Sequence, residues 1–394
     1  MKKTIRDIDV TGKRVIVRCD FNVPMENGII TDESRITAAI PTIDYLAEKG
    51  TKIILMSHLG RPDGQPDMKY SLRPVADKLT ELTGKQIKFI SSPDVVDHEV
   101  IETAAGLKPG EVMLLENVRF SPKESIKDPE FSKTLASLAD VYVNDAFGTA
   151  HRNHSSISGI AEYLPSVSGF LIEKEVEFLG KAIEHPKRPF LAILGGAKVK
   201  DKIPVIENLL NKVDTLIIGG GMAYTFFRAI GFEVGKSIVD EDGIELAGRI
   251  LKKAEDLGTR LLLPLDTVCA KEFSNDSEIR ICDRESIPED MMGLDIGPKS
   301  VELFTSEISK AETILWNGPM GVFEIPNFAS GTLKIAQAMS ESGALTIIGG
   351  GDSAAAVEQF GLSGKMTHIS TGGGASLEFL EGRPLPGIAV LQDK

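Results

Sequence analysis

Short, β-branched apolar runs recur along the chain, each closed by a polar or glycine-rich step and followed by residues at helical spacing. In the first half these are RVIVRCDFN (14–22), KIILMSHLG (52–60), EVMLLENVRF (111–120) and DVYVNDAFG (140–148). In the second half they are FLAILGGAK (190–198), TLIIGGGMA (215–223), RLLLPLDT (260–267), TILWNGP (313–319), LTIIGGGDS (345–353) and HISTGGG (368–374). Near-continuous apolar strands alternating with helices predict parallel sheets covered on both faces. Such sheets bind ligands outside the carboxyl ends of their strands. The punctuation is therefore where the chemistry should lie.

The two halves punctuate differently. First-half strands end in side chains: Asp20, Asn22, His58, Arg61, Arg119, Asn144 and Asp145. Second-half strands end mostly in glycine. This contrast predicts an α/β protein of two doubly wound, Rossmann-like parallel-sheet domains with different ligands, one gripping with side chains and the other with backbone. Between them, SGFLIEKEVEFLGKAIEHPKRP (168–189) places Leu171, Ile172, Val176, Leu179 and Ile183 near helical spacing and stops at His-Pro. It reads as a helix joining the two domains; a surface helix within one domain is the alternative.

Length supports the division, since 394 residues exceed what one core usually holds. The net charge is −13, and it is negative on both sides of residue 185: 23 Lys+Arg against 28 Asp+Glu before it, 21 against 29 after. A general nucleic-acid binder is excluded, and any anionic ligand must be caught by a local cluster or by backbone amides. Cys19, Cys269 and Cys282 are too few and too scattered for a disulfide framework or a zinc site and read as reduced core residues. The start MKKTIRDIDV has no apolar stretch, and no run approaches a membrane span. A cytoplasmic protein without membrane contacts is expected.

Glycines at the end of a parallel strand, opening a helix, let backbone N–H groups converge on an anion. The pattern occurs at Gly195-Gly196, Gly219-Gly220-Gly221, Gly349-Gly350-Gly351 and Gly372-Gly373-Gly374, which points to a phosphate-bearing ligand. Asp352, beside such a cradle, would repel phosphate alone; a divalent cation between them resolves this, and a helix N-cap is the compatible alternative. In GGAKVKDKIP (195–204), Asp201 reads as an N-cap, Pro204 suits a first turn, and Lys198 and Lys202 flank the start as phosphate contacts. Glu324, closing WNGPMGVFE (316–324), suits ribose hydroxyls or an exposed loop equally.

Two fingerprints fail. Gly349-x-Gly351-x-x-Ala354 fits a dinucleotide pattern, but the next strand ends ISTGGG with no acid for a ribose, which weakens a dehydrogenase reading. GFEVGKS (231–237) is one residue short of a P-loop and follows a helix-like run. In the first half, Arg35 starts a helix, while His58, Arg61, Arg119, His151 and Arg152 fall at or after strand ends of one sheet. Their convergence would suit a small anionic substrate held by bidentate arginines. HRNH (151–154) lacks a clear third metal ligand. Nothing suggests a covalent nucleophile.

At this point the chain resembles the phosphoglycerate kinases, through RCDFNVP (18–24), SHLGRP (57–62), LLENVRF (114–120), VNDAFGTAHR (143–152), GGAKVKDK (195–202), IIGGGMAYTF (217–226), WNGPMGVFE (316–324), IIGGGDSAA (347–355) and STGGGASLE (370–378). The resemblance implies reversible phosphoryl transfer from 1,3-bisphosphoglycerate to ADP, giving 3-phosphoglycerate and ATP with Mg2+, by a cytoplasmic monomer without nucleic-acid or membrane partners. It implies a phosphoglycerate domain over 1–170, a joining helix over 171–186, a nucleotide domain over 187–378 and a tail, 379–394, packing on the first domain. Asp20, Phe21 and Asn22 would meet the substrate's hydroxyl and carboxylate end, with His58, Leu59, Gly60, Arg61, Arg119 and Arg152 at its phosphate region and Arg35 nearest the transferred group. Lys202 with Gly350, Gly351, Asp352 and Ser353 would hold the nucleotide phosphates, Asp352 the metal, Glu324 the ribose, and Gly219, Gly220 and Gly293 the adenine. Lys198 and the amides of Gly372 and Gly373 would stabilise the phosphoryl group in flight.

Overall fold

A computed structural model of the chain describes residues 1–394. It divides into two compact units, Met1–Val176 with Pro384–Lys394, and Glu177–Arg383. In the first, six strands form one parallel sheet: β1 (Arg14–Cys19), β2 (Lys52–Met56), β3 (Ile87–Phe89), β4 (Val112–Leu114), β5 (Val141–Asp145) and β6 (Ser166–Ser168), in the order β3-β4-β2-β1-β5-β6. Val17 is flanked by Leu55 and Val143. Val15, Val17 and Cys19 pack with one helix layer, and Ile16, Ile54 and Tyr142 with the other. Burial on both faces is why these strands read as unbroken apolar runs; each such side chain contributes about 1.5–3 kcal/mol.

The second unit has β7 (Phe190–Leu194), β8 (Thr215–Ile218), β9 (Arg260–Leu262), β10 (Asp266–Ala270), β11 (Ile279–Asp283), β12 (Met292–Ile296), β13 (Thr313–Asn317), β14 (Leu345–Gly349) and β15 (His368–Ile369). Six of them form a parallel sheet ordered β9-β8-β7-β13-β14-β15. This is a doubly wound order whose direction reverses between β7 and β13, where such folds hold ligands. β11, β10 and β12 form a separate antiparallel sheet that the periodicity did not predict. RLLLPLDT, expected as one strand, is two: Pro264 falls between β9 and β10 and has no N–H for a ladder. The edge strand β11 leaves Ile279 and Ile281 exposed, so it lacks the alternation that marks a half-buried strand. GFEVGKS follows the helix Met222–Ala229 and runs without a strand, unlike a P-loop. All three cysteines are free and buried.

The helix expected across 168–189 runs Phe170–Glu184, and the compact units divide inside it. The chain returns to the first unit at Pro384 rather than at 379. The helix Gly374–Leu380 still belongs to the second unit, where Asn208 Nδ2 donates to the Leu380 carbonyl at 2.6 Å. In the first unit the tail is pinned by Lys3 N to the Gln392 carbonyl (2.7 Å), Gln392 N to that of Ser166 (3.0 Å) and Asn144 Nδ2 to that of Gly387 (2.8 Å).

Two strand-end side chains read as ligand-facing turn inward instead. Asn144 and Asp145 are fully buried. Asp145 Oδ1 accepts from Leu171 N (2.8 Å) and Ile172 N (3.4 Å), anchoring the first turn of the helix Phe170–Glu184. Burial pushes the Asp145 carboxyl up to about 7, against hydrogen bonds from Thr42, Leu171 and Ile172 that pull it down. The folded state thus holds a proton that the unfolded chain releases near its ordinary pKa, so this group's contribution falls as pH rises from about 4 to 7. Asp145→Asn keeps the amide acceptor and removes the charge. The variant is expected to lose less stability than the parent between pH 5 and pH 8, by about 2 kcal/mol. Urea unfolding of the first unit at both pH values measures it; parallel pH slopes would contradict the assignment.

Candidate active site

On the first sheet, β4, β2, β1 and β5 are adjacent, so residues following their carboxyl ends share one edge. Asp20 and Asn22 follow β1, His58 to Arg61 follow β2, Arg119 follows β4 and Arg152 follows β5. Arg35, in the first turn of the helix Ser34–Glu48, donates from Nη1 to Asp20 Oδ2 at 2.9 Å. The other Asp20 oxygen accepts from Asn22 N at 3.3 Å, and Asn22 Oδ1 accepts from Gly60 N at 2.8 Å. Phe21 is buried, its N–H donating to Ser57 Oγ at 2.8 Å.

The turn holding His58, Leu59, Gly60 and Arg61 is braced from β4. Asn117 Nδ2 donates to the carbonyls of Leu59 (2.7 Å) and Tyr70 (2.9 Å), and Arg119 Nη1 to that of Gly60 (2.7 Å). Buried Glu116 accepts from Ser71 Oγ and the Leu72 and Asn117 amides at 2.8–2.9 Å, fixing the far side of that brace.

Burial holds His58 well below the usual histidine range, and the nearby cations Arg18, Arg152 and Arg35, with His154, act in the same direction. Burial also lowers Arg152, further depressed by Arg18 and Arg61 and opposed by Asp20. The edge is thus a concentration of cations with Asp20 among them, suited to a multiply charged anion. Arg18 was missed as a member because it precedes the strand end and is 1% exposed; an arginine inside an otherwise apolar strand was the available signal.

In the second unit, the β7 and β13 turns cross at the point of reversal. Gly195 N donates to the Asn317 carbonyl at 2.9 Å, and a Cβ on Gly195 would lie 2.1 Å from the Pro319 carbonyl oxygen. Gly220 is packed similarly against Gly196 and Pro319, and Gly219 against Met320. Gly195 and Gly220 therefore permit close approach of backbone to backbone, and Gly219 makes room for the Met320 side chain, so these glycine tips have packing reasons of their own. Gly350 differs. Its φ of +85° favours glycine, and it caps the helix Gly351–Gln359 beside Asn317.

Asp352 lies exposed in the first turn of that helix and makes no side-chain cap, so the N-cap alternative does not hold. Nor does Asp201 cap: the helix Ile203–Leu210 starts after Lys202 without a side-chain cap, and Pro204 occupies its first turn. Lys202 Nζ donates to Asn317 Oδ1. Burial brings Lys202 down to about 8, with Asp352 and Asp201 opposing. Ser353 Oγ is buried and accepts from Gly318 N at 2.6 Å, holding the β13 turn. The Asn317 Nδ2 is buried without a hydrogen-bond partner in the chain, a donor that a ligand oxygen beside Gly350 could satisfy. In the sequence Asn317 stands out only as the last residue of its strand, ahead of the Gly-Pro turn.

Beside this cradle is a cavity of about 670 Å3, whose lining includes Gly220, Gly293, Phe273, Ile238, Glu324 and Asp352. Gly219 does not line it. Lys198 is exposed and borders a second recess of about 380 Å3 with Lys200, Asp201 and Asp240. Gly372 N donates to Ser370 Oγ at 3.2 Å, and Gly373, at φ +50°, caps the helix Gly374–Leu380. No group of three or more His, Cys, Asp or Glu side chains could hold a metal, so a cation here would need ligands besides protein, such as phosphate oxygens and water. No helix is long and apolar enough to cross a membrane.

The chain matches the family model described as phosphoglycerate kinase over residues 5–383. It is 58% identical to the phosphoglycerate kinase of Dictyoglomus turgidum, covering 100% of both chains, and 57% identical to that of Clostridium tetani, covering 100% of this chain and 98% of the relative. Among solved structures it is similar to phosphoglycerate kinase from Coxiella burnetii (TM-score 0.92, 40% identity, 99% and 98% coverage) and from Pyrococcus horikoshii (TM-score 0.85, 35% identity, 99% and 98% coverage). Matched along nearly its whole length, this chain belongs to the phosphoglycerate kinase family.

Proposed function

We propose that this chain transfers a phosphoryl group from 1,3-bisphosphoglycerate to ADP, giving 3-phosphoglycerate and ATP, in glycolysis and, reversed, in gluconeogenesis. The observation that carries the reading is the division of labour between the two sheets. One carboxyl edge gathers Arg35, Arg152, Arg18 and His58 around Asp20, and the other sets Lys202, the orphaned Asn317 amide and Asp352 around the Gly350 turn.

On this reading the phosphoglycerate lies on the first edge, with Asp20, Phe21 and Asn22 toward its hydroxyl and carboxylate end. His58, Leu59, Gly60, Arg61, Arg119 and Arg152 surround its phosphate, and Arg35 is nearest the transferred group. ADP or ATP lies on the second edge, its phosphates at Lys202, Asn317 and the Gly350–Ser353 turn, its ribose at Glu324, and its base in the cavity walled by Gly220 and Gly293. Gly219 supports that wall from behind. Asp352 would hold a magnesium ion bound together with the nucleotide phosphates, and the ion would supply neutralisation of phosphate charge. Lys198 and the Gly372 and Gly373 amides stabilise the phosphoryl group between the ligands. Such transfer needs positioning and electrostatic stabilisation rather than a covalent nucleophile, which fits the residues present. Ligands held on separate units must be brought together and water excluded, so hinge motion belongs to the proposal, as do a monomeric state and a cytoplasmic setting.

A coupled assay with 3-phosphoglycerate and Mg-ATP, with and without chelator, tests this. Turnover abolished by chelation is expected; ATP binding without turnover would leave a nucleotide sensor instead. For the metal, Asp352→Ala should weaken Mg-ADP affinity about tenfold or more, with 3-phosphoglycerate affinity unchanged, by calorimetry. The reverse pattern would contradict the assignment of ligands to edges.

A further inference from the structure

Of the cations on the first edge, Arg18 is the one with no contact assigned to the substrate. Arg18 is 1% exposed, and its guanidinium donates to Ser156 Oγ (Nε, 2.9 Å), to the Cys19 carbonyl, and to His58 Nδ1 (Nη2, 3.3 Å). Arginine has donors only, so the His58 Nδ1 in this contact must be the unprotonated, accepting nitrogen. The opposite tautomer would set N–H against N–H inside a closed site. A doubly protonated ring would do the same and add a second cation.

Behind Arg18 stands its anchor. Ser156 Oγ accepts from Arg18 and donates to Glu124 Oε1 at 2.6 Å, while Ser156 N donates to Glu124 Oε2 at 2.9 Å. Glu124 is fully buried. His154 Nδ1 lies 3.6 Å from the same Oε1. A serine held by a carboxylate at both its hydroxyl and its amide has its lone pair directed, and that lone pair fixes the guanidinium plane. Tyr142 steadies the same turn, its hydroxyl donating to the Ile157 carbonyl at 3.0 Å.

We infer that Glu124, through Ser156 and Arg18, holds His58 as the Nε2–H tautomer, so that the ring offers the anionic acid substrate a hydrogen-bond donor at Nε2. Glu124, Ser156 and Arg18 are positioning residues, acting through His58. The inference deepens the proposed function and rests on its placing the acid substrate's phosphate at His58. A phosphate oxygen has only acceptor sites, so a ring presenting its lone pair there would repel the ligand. A fixed donor binds it without reorganisation.

The test is long-range 1H–15N correlation of the histidine rings in the full 15N-labelled chain at pH 7, with His58→Asn identifying the signal. The expected result is a pyridine-type Nδ1 and a pyrrole-type Nε2. A pyrrole-type Nδ1, or two averaged nitrogens, in the unaltered chain overturns the inference without needing any variant to fold. Ser156→Ala and Glu124→Gln are then expected to average the two nitrogens and raise the KM for 3-phosphoglycerate about tenfold, with kcat changed less than about threefold. An unchanged tautomer in both variants overturns the relay. If the tautomer is as stated but saturating 3-phosphoglycerate leaves the His58 Nε2–H signal unmoved, the site assignment fails instead, so the two failures are distinguishable.

Discussion

Arg35→Ala is expected to lower kcat by about three orders of magnitude while leaving the KM for Mg-ATP within about threefold. In phosphoryl transfer, charge accumulates on the oxygens of the moving group, and a guanidinium that reaches it acts on the transition state more than on either ground state. Arg35 is placed for this by its helix start and by the 2.9 Å contact with Asp20, which sets the fork without consuming all of its donors. The side chain is 33% exposed, so its removal should cost the fold little. Arg35→Lys restores the charge but not the planar fork and should recover only part of the rate. Steady-state kinetics with 3-phosphoglycerate and Mg-ATP decide it; a near-normal kcat in the alanine variant removes Arg35 from the transition state.

Gly195→Ala should destabilise the second unit by about 3 kcal/mol or more, a large effect for one methyl group. The added Cβ would lie 2.1 Å from the Pro319 carbonyl oxygen and 2.4 Å from that of Gly318, and neither is a side chain that can swing aside. Relief requires the β7 and β13 turns to part, at the cost of the Gly195 N to Asn317 carbonyl bond and the placement of the Asn317 amide. Nucleotide affinity is therefore expected to fall together with stability. Urea unfolding followed by Trp316, buried in the second unit's core, reads the first effect, and calorimetry with Mg-ADP the second. A variant as stable as the parent would mean the crossing is looser than these contacts require. By contrast, Gly351→Ala meets no atom within 4 Å and should be tolerated by the fold.

The contrast between Gly195 and Gly350 shows where reading the residues reached its limit. Both stand at strand tips in the sequence, where the pattern alone predicts an anion cradle. One is small because two backbones cross there, and the other because its backbone takes a positive φ. Likewise Asn144 and Asp145 have the same polar, strand-end signature as Asp20 and Asn22. The first pair faces inward, to the returning tail and to a helix start, and the second lies in the cation-rich edge. A strand-end position says which edge a side chain occupies but not whether another segment already covers that edge.

The order of apolar runs and breaks was enough to specify the parallel sheets and two units, because burial on both faces and strand-to-helix alternation leave a local imprint on every segment of those sheets. The antiparallel sheet left no such imprint: β11 is exposed along nearly its whole length, and β10 and β12, though mostly buried, take their antiparallel pairing from segments elsewhere in the chain. Nor could residue order reveal that Asn317 receives Lys202, that Arg18 faces His58, or that Glu124 lies behind Ser156. Those contacts join positions tens to more than a hundred residues apart, and only the closing of each sheet brings them within reach.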